Sequence, residues 1–129
     1  MVNGKQQIVM INERPHKKLE LWKESMELVS SIYELTKQFP HEEEFGLKSQ
    51  LRRAAVSIPS NISEGLTRRT VADKMHFLNI SNGSLSEIDA QLEISLRLKY
   101  IQIDDFEVIE NKIITTQKLL SGLMRSLRK

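Results

Sequence analysis

Apolar residues recur at three- and four-residue spacing in four successive stretches, with only short breaks between them. No stretch alternates like a strand over a useful length, so this pattern predicts an all-α fold. The first stretch spans about residues 18–38 and is stopped by Phe39-Pro40. Its predicted core face is Trp22, Met26, Val29, Ile32, Tyr33 and Thr36. The second spans about 42–64, with Leu51, Ala54, Ala55, Ile58 and Ile62 on one face and Gly65 as the expected C′ residue. The third begins after Thr70, an N-cap with Asp73 in capping-box position, and presents Phe77, Leu78, Leu85, Ile88, Leu92 and Leu96. The fourth is expected to begin at Asp104 as N-cap. It presents Phe106, Ile109, Ile113, Leu120, Leu123, Met124 and Leu127. Helices of roughly 20–28 residues measure about 30–42 Å. Short connections make sequential helices antiparallel, which predicts an up-down-up-down four-helix bundle over residues 17–129. Residues 1–16 are polar and aperiodic. They are expected to form a flexible tail with room for a short strand at 7–11.

A chain of 129 residues is one domain by length. It has no cysteine, which excludes a disulfide framework and a thiolate metal site. No apolar run reaches the roughly 20 residues a membrane span needs. The N-terminus lacks a signal-peptide core, so a cytoplasmic location with no membrane partner is the expectation.

The run from Gln50 to Gly65 is the most distinctive part of the chain. Pro59 lies inside an otherwise helical pattern, where it removes one backbone hydrogen bond and crowds the carbonyl of Ala55. A bend is expected there. Ser57, Ser60, Asn61 and Glu64 crowd the same turn, placed to satisfy freed backbone groups. Gln50, Arg53, Ser57, Asn61 and Glu64 step along one side of this helix, with Glu87 of the third helix as the expected partner of Arg53. Together with Pro59 they read as a polar network that fixes helix register, or else as a polar binding site.

These residues carry a resemblance. The Gln50–Gly65 run, Phe39-Pro40, Phe45-Gly46-Leu47, and Phe77-Leu78 followed by Gly83-Ser84-Leu85-Ser86-Glu87 resemble the four-helix-bundle proteins encoded in intervening sequences of 23S ribosomal RNA genes. A related branch contains the accessory variability proteins of diversity-generating retroelements. The similarity runs from about Leu19 to the C-terminus. It implies a four-helix fold, a ring-shaped homo-oligomer that is typically a pentamer, and no known enzymatic activity. The retroelement branch binds nucleic acid and a reverse transcriptase. Lys99 stands before Tyr100 where the family usually has glycine, which bears on the shape of the third connection.

Catalytic patterns are missing from the residues themselves. His16, His41 and His76 form no pair at helical spacing and no metalloprotease motif, so no metal is expected. Ser57 and Ser60 lack a nucleophile-elbow pattern, no glycine-rich loop has phosphate-binding spacing, and no cofactor is implied. Gly83, with Ser81, Asn82 and Ser84, makes a small-residue patch in mid-helix. It suits close packing within one bundle or close approach of a second subunit. Leu28, Leu35, Ile80, Ile94, Ile103, Val108, Ile114 and Leu119 fall off the predicted core stripes. A lone bundle needs one apolar face per helix, so these residues favour burial against another chain.

Charge distribution says more than the net charge of +2. Folded up-down-up-down, one end collects Glu42, Glu43, Glu44, Asp104, Asp105 and Glu107. The other collects Lys17, Lys18, Lys23, Arg68, Arg69, Lys74, Arg125, Arg128 and Lys129. Acids at helix N-termini and bases at C-termini are ordinary complements of the helix dipole. Lys17, Lys18 and Lys74 oppose it, and cations added to positive helix ends make an anion site. Lys48 and Arg52, one turn apart, are candidates to extend that surface along the side. Two functions follow. One is a non-catalytic homo-oligomer that binds structured nucleic acid, RNA ahead of DNA, through its basic end by backbone and shape. The other is a protein–protein assembly or adaptor module with no nucleic-acid partner.

Overall fold

The computed structural model describes residues 19–129. The expected tail, the strand within it, and Lys17 and Lys18 lie outside the described residues. Four helices account for most of the rest: α1 (Glu20–Thr36), α2 (Leu47–Leu66), α3 (Val71–Arg97) and α4 (Ile103–Arg128). A single 3-10 turn, His41–Glu43, sits between α1 and α2, and no strand occurs among the described residues. Each helix packs on its two neighbours in the cycle α1–α2–α3–α4, and α4 closes back on α1. The result is a four-helix bundle around a core of leucine and isoleucine.

The α2–α3 seam is the most extensive of the four. Three hydrogen bonds run along it: Gln91 Nε2 to Gln50 Oε1 at 3.3 Å, Ser84 Oγ to Ser57 Oγ at 2.8 Å, and Ser81 Oγ to the Ile58 carbonyl at 2.9 Å. Partners advance along α2 as they retreat along α3, so the two helices are antiparallel. The helix α2 continues through Pro59, which is buried. Side chains supplement the backbone around it. Ser60 Oγ donates to the Val56 carbonyl at 2.8 Å, and Asn61 Nδ2 to the Ser57 carbonyl at 2.9 Å.

The predicted faces of α2, α3 and α4 are buried or half-buried as expected. The face of α1 is so only at Trp22, Val29, Ile32 and Thr36. Met26 and Tyr33 are 44% and 37% exposed, whereas Leu28 and Leu35, expected off the core, are buried. The true stripe is Leu21, Ser25, Leu28, Ile32 and Leu35, spaced alternately by four and three residues. A serine in that stripe shifts an apolar count toward Met26. Burial of the hydroxyls is tolerated because Ser25 Oγ donates to the Trp22 carbonyl at 2.8 Å and Thr36 Oγ1 to the Ile32 carbonyl at 2.7 Å.

Three helix ends also differ from expectation. Residues 42–46 do not belong to α2, because Glu43 caps its start from outside. Gly65 is not a C′ residue but lies inside α2 and is buried. A Cβ there would meet the Lys74 carbonyl oxygen and Phe77 Cβ at 3.2 Å, so this glycine permits close approach of α3. The N-cap of α4 is Gln102, which places Asp104 and Asp105 in the first turn, where they complement the dipole. The Thr70 cap is as predicted, with its Oγ1 accepting from the Asp73 amide at 3.1 Å.

At the third connection, Lys99 holds φ 65°. Its amide reaches the Leu96 carbonyl at 3.0 Å, and the Tyr100 amide reaches Ser95 at 2.9 Å. This is a Schellman motif, with a lysine at the left-handed position usually given to glycine.

Candidate functional site

The two ends of the bundle treat their charges differently. At one end Glu43 joins the first and third connections. Its Oε1 accepts from the Leu47 amide at 3.0 Å, satisfying an orphan donor of α2, and its Oε2 accepts from the Tyr100 hydroxyl at 2.9 Å. These bonds, the backbone one first, hold the Glu43 carboxyl below the usual range, and the same carboxylate raises Tyr100. Tyr100 also packs on Phe39 with ring centroids 5.5 Å apart. Gly46 makes room for the cap: a Cβ there would lie 2.5 Å from Glu43 Oε1.

Lys48 and Arg52 belong to this end. Lys48 Nζ bonds Glu44 at 3.0 Å, which holds the Glu44 carboxyl down. Arg52 Nε donates to Thr36 Oγ1 at 2.8 Å and Nη2 to the Tyr33 carbonyl at 3.0 Å, with the guanidinium 4.4 Å from the Tyr33 ring centroid. Arg52 therefore closes the C-terminus of α1. At 1.5 Å per residue, Lys48 lies about 30 Å along α2 from Arg68.

The opposite end is looser. Arg68 pairs with Glu64 and sits 4.6 Å from the Phe77 ring centroid. Arg69, Arg125 and Arg128 are exposed and Lys74 is half-buried. None of these four side chains has a carboxylate partner among the described residues.

The expected polar network separates into parts. Gln50 bonds Gln91, and Ser57 bonds both Asn61 and Ser84 beside Pro59. Glu64 turns to Arg68. Arg53 and Glu87 line one groove, with Ser57, Ile80, Gly83 and Ser84, and form no ion pair. The small-residue patch is divided too: Ser81 and Ser84 pack on α2, while Gly83 has open space where a Cβ would go.

A separate carboxyl pair lies between α3 and α4. Glu110 Oε2 is buried without a donor, and burial followed by contact with Asp89 pushes its carboxyl up.

Sequence reasoning missed the Glu43–Tyr100 bond. It spans 57 positions, and no local pattern announces it. No group of His, Cys, Asp and Glu among the described residues could hold a metal ion, and no described helix is long and apolar enough to cross a membrane.

The fold and its surfaces define a small helical-bundle protein whose charged groups mark its two ends. The match to the 23S rRNA-intervening sequence protein family covers residues 17–122, and the chain belongs to that family. It is similar to a crystal structure from Bacteroides thetaiotaomicron, described as a protein with unknown function from the S23 ribosomal protein family. The two share 30% identity with a TM-score of 0.75, over 81% of this chain and 97% of that one. No curated protein matches the chain.

Proposed function

We propose that this chain is a non-catalytic, homo-oligomeric bundle that binds structured nucleic acid, RNA foremost, through the end carrying Arg68, Arg69, Lys74, Arg125 and Arg128. The observation that supports it most is the contrast in partners. Lys48 and Arg52 are engaged within the fold, whereas Arg69, Lys74, Arg125 and Arg128 have no carboxylate partner among the described residues. Unneutralised cations repeated around an oligomer can follow a phosphate backbone. Self-association is supported by exposed apolar side chains: Phe45 at 95%, and Ile94, Ile103, Val108 and Ile114 on α3 and α4. A ring of five and a reverse-transcriptase partner are what the family resemblance adds.

The family description names 23S rRNA, which makes a structured fragment of that RNA the natural probe. Fluorescence anisotropy against it, a DNA duplex and a single strand, at low and near-physiological salt, tests the proposal. Salt-sensitive binding with RNA preferred is the expected result. Absence of binding at low salt would overturn it. The exposed apolar residues also favour the second reading, a protein–protein assembly module. Recovery of one stoichiometric protein partner from nuclease-treated lysate, with no nucleic-acid binding, would establish that reading instead.

A further inference from the structure

Phe45 is 95% exposed, more than any other large apolar side chain described. It does not sit on a loose loop. Glu43 on one side holds the Leu47 amide at 3.0 Å, Glu44 pairs with Lys48 at 3.0 Å, and the Gly46 amide bonds the Glu43 carbonyl at 3.1 Å. The backbone that presents the phenyl group is therefore held on a fixed turn, so docking does not have to order this segment of the chain. Around it on the α1–α2 side are Tyr33, Val56, Lys48, Arg52 and Arg53. Lys48 there is paired with Glu44 and Arg52 is bonded to α1, so the cation left beside Phe45 is Arg53.

A receptor of opposite character lies on the other side of α1. The α1–α4 seam opens into a groove of about 610 Å³ with Leu35, Val108 and Ile109 as its apolar lining and Glu34 and Asp105 among its polar residues. That volume is ample for a benzyl group. Val108 is 55% exposed. Lys37 in the same groove is already paired with Glu34 at 3.0 Å, and Asp105 has no ion-pair partner among the described residues. Arg53, beside Phe45, likewise has no carboxylate partner among the described residues. Both patches lie near the end of the bundle where Glu43 meets Tyr100, on two sides of the same helix: Tyr33 borders one and Glu34 the other.

We propose that Phe45 of one copy seats in the α1–α4 groove of the next, against Leu35, Val108 and Ile109, with Arg53 beside Phe45 facing Asp105. The occupant is a second copy of this chain because one molecule carries both halves, with matched charge, at one level. The two halves are different surfaces, so the contact is heterologous, and its repetition produces a ring or a filament and not a two-fold dimer. This inference rests on the self-association proposed above and names the contact that makes it.

The absence of cysteine permits a clean test. Sedimentation of the wild-type chain is compared with Phe45→Ser, whose folding is checked by circular dichroism. Phe45→Cys, Val108→Cys and the double variant are oxidised and run without reductant. Full burial of a phenyl group corresponds to about a 10-fold to 100-fold change in association constant, so Phe45→Ser should associate that much more weakly. The double-cysteine variant should give a ladder of covalent multimers, and neither single variant should cross-link. A wild-type oligomer that persists unchanged in Phe45→Ser, or a double-cysteine variant that yields no ladder, overturns this contact but leaves self-association standing. Dimers from Phe45→Cys alone would show that Phe45 meets its own counterpart, and overturn the heterologous arrangement. A wild-type chain that stays monomeric at micromolar concentration overturns both.

Discussion

The two ends of this bundle hold similar numbers of charged residues and use them in opposite ways. Where the first and third connections meet, Glu43, Glu44, Lys48 and Arg52 are spent on helix caps, ion pairs and a tyrosine hydroxyl. At the other end, Arg69, Lys74, Arg125 and Arg128 have no carboxylate partner among the described residues. A charge already satisfied inside the fold stabilises the bundle and has little left for a partner. A charge left in solvent adds little to stability and remains available. Clustering of charge in the sequence does not distinguish the two cases; partner geometry does.

Substitutions can break this contrast. Phe39→Ala should have the largest effect, since Phe39 is buried beneath Tyr100 and its truncation leaves a cavity costing about 3–5 kcal/mol, read from chemical denaturation. Reversal of Arg69 and Lys74 to glutamate should do the reverse. Stability should stay within about 0.5 kcal/mol. RNA affinity should fall tenfold or more, about 1.4 kcal/mol, with a shallower salt slope. If the melting curve moves and the affinity does not, the roles of the two ends have been exchanged.

Gly46→Ala should cost about 1 kcal/mol by driving the Glu43 carboxylate off the start of α2. In a Glu43→Ala background the same change should cost almost nothing, because the coupled contact is already gone. Lys99→Gly should stabilise by about 0.5–1 kcal/mol by relieving the left-handed conformation, visible as a raised denaturation midpoint. The smallest effect is the pH response. Glu43 titrates lower in the folded state, so its contribution is present above the ordinary carboxylate range and is lost as pH falls through the lowered value. Tyr100 titrates higher, so its contribution is present below the ordinary tyrosine range and is lost as pH rises through the raised value. Glu43→Gln should flatten the acid limb of stability against pH.

Much of the fold was legible because three helices carry clean apolar stripes. The misreading of α1 has a specific cause. Ser25 occupies a buried position and returns its hydroxyl to the helix backbone, so polarity at that position does not signal exposure. The start of α2 was misplaced because its cap comes from Glu43, upstream of the helix, instead of from a serine or threonine at the N-cap. Gly65 looked like a terminator because its role depends on α3, which packs over it. For the surface, sequence listed the cations but could not sort them. Arg52 and Arg53 are neighbours of the same type, yet one closes α1 and the other faces an open groove.

The serine-lined seam between α2 and α3 has a consequence in time. Its two helices are consecutive, joined by residues 67–70, and their interlocking contacts need nothing from α4. During synthesis this hairpin can therefore assemble, with its register fixed by Ser57, Ser81 and Ser84, while α4 is still being made. The helix α4, emerging after it, then meets a template already in place, and its task is to dock.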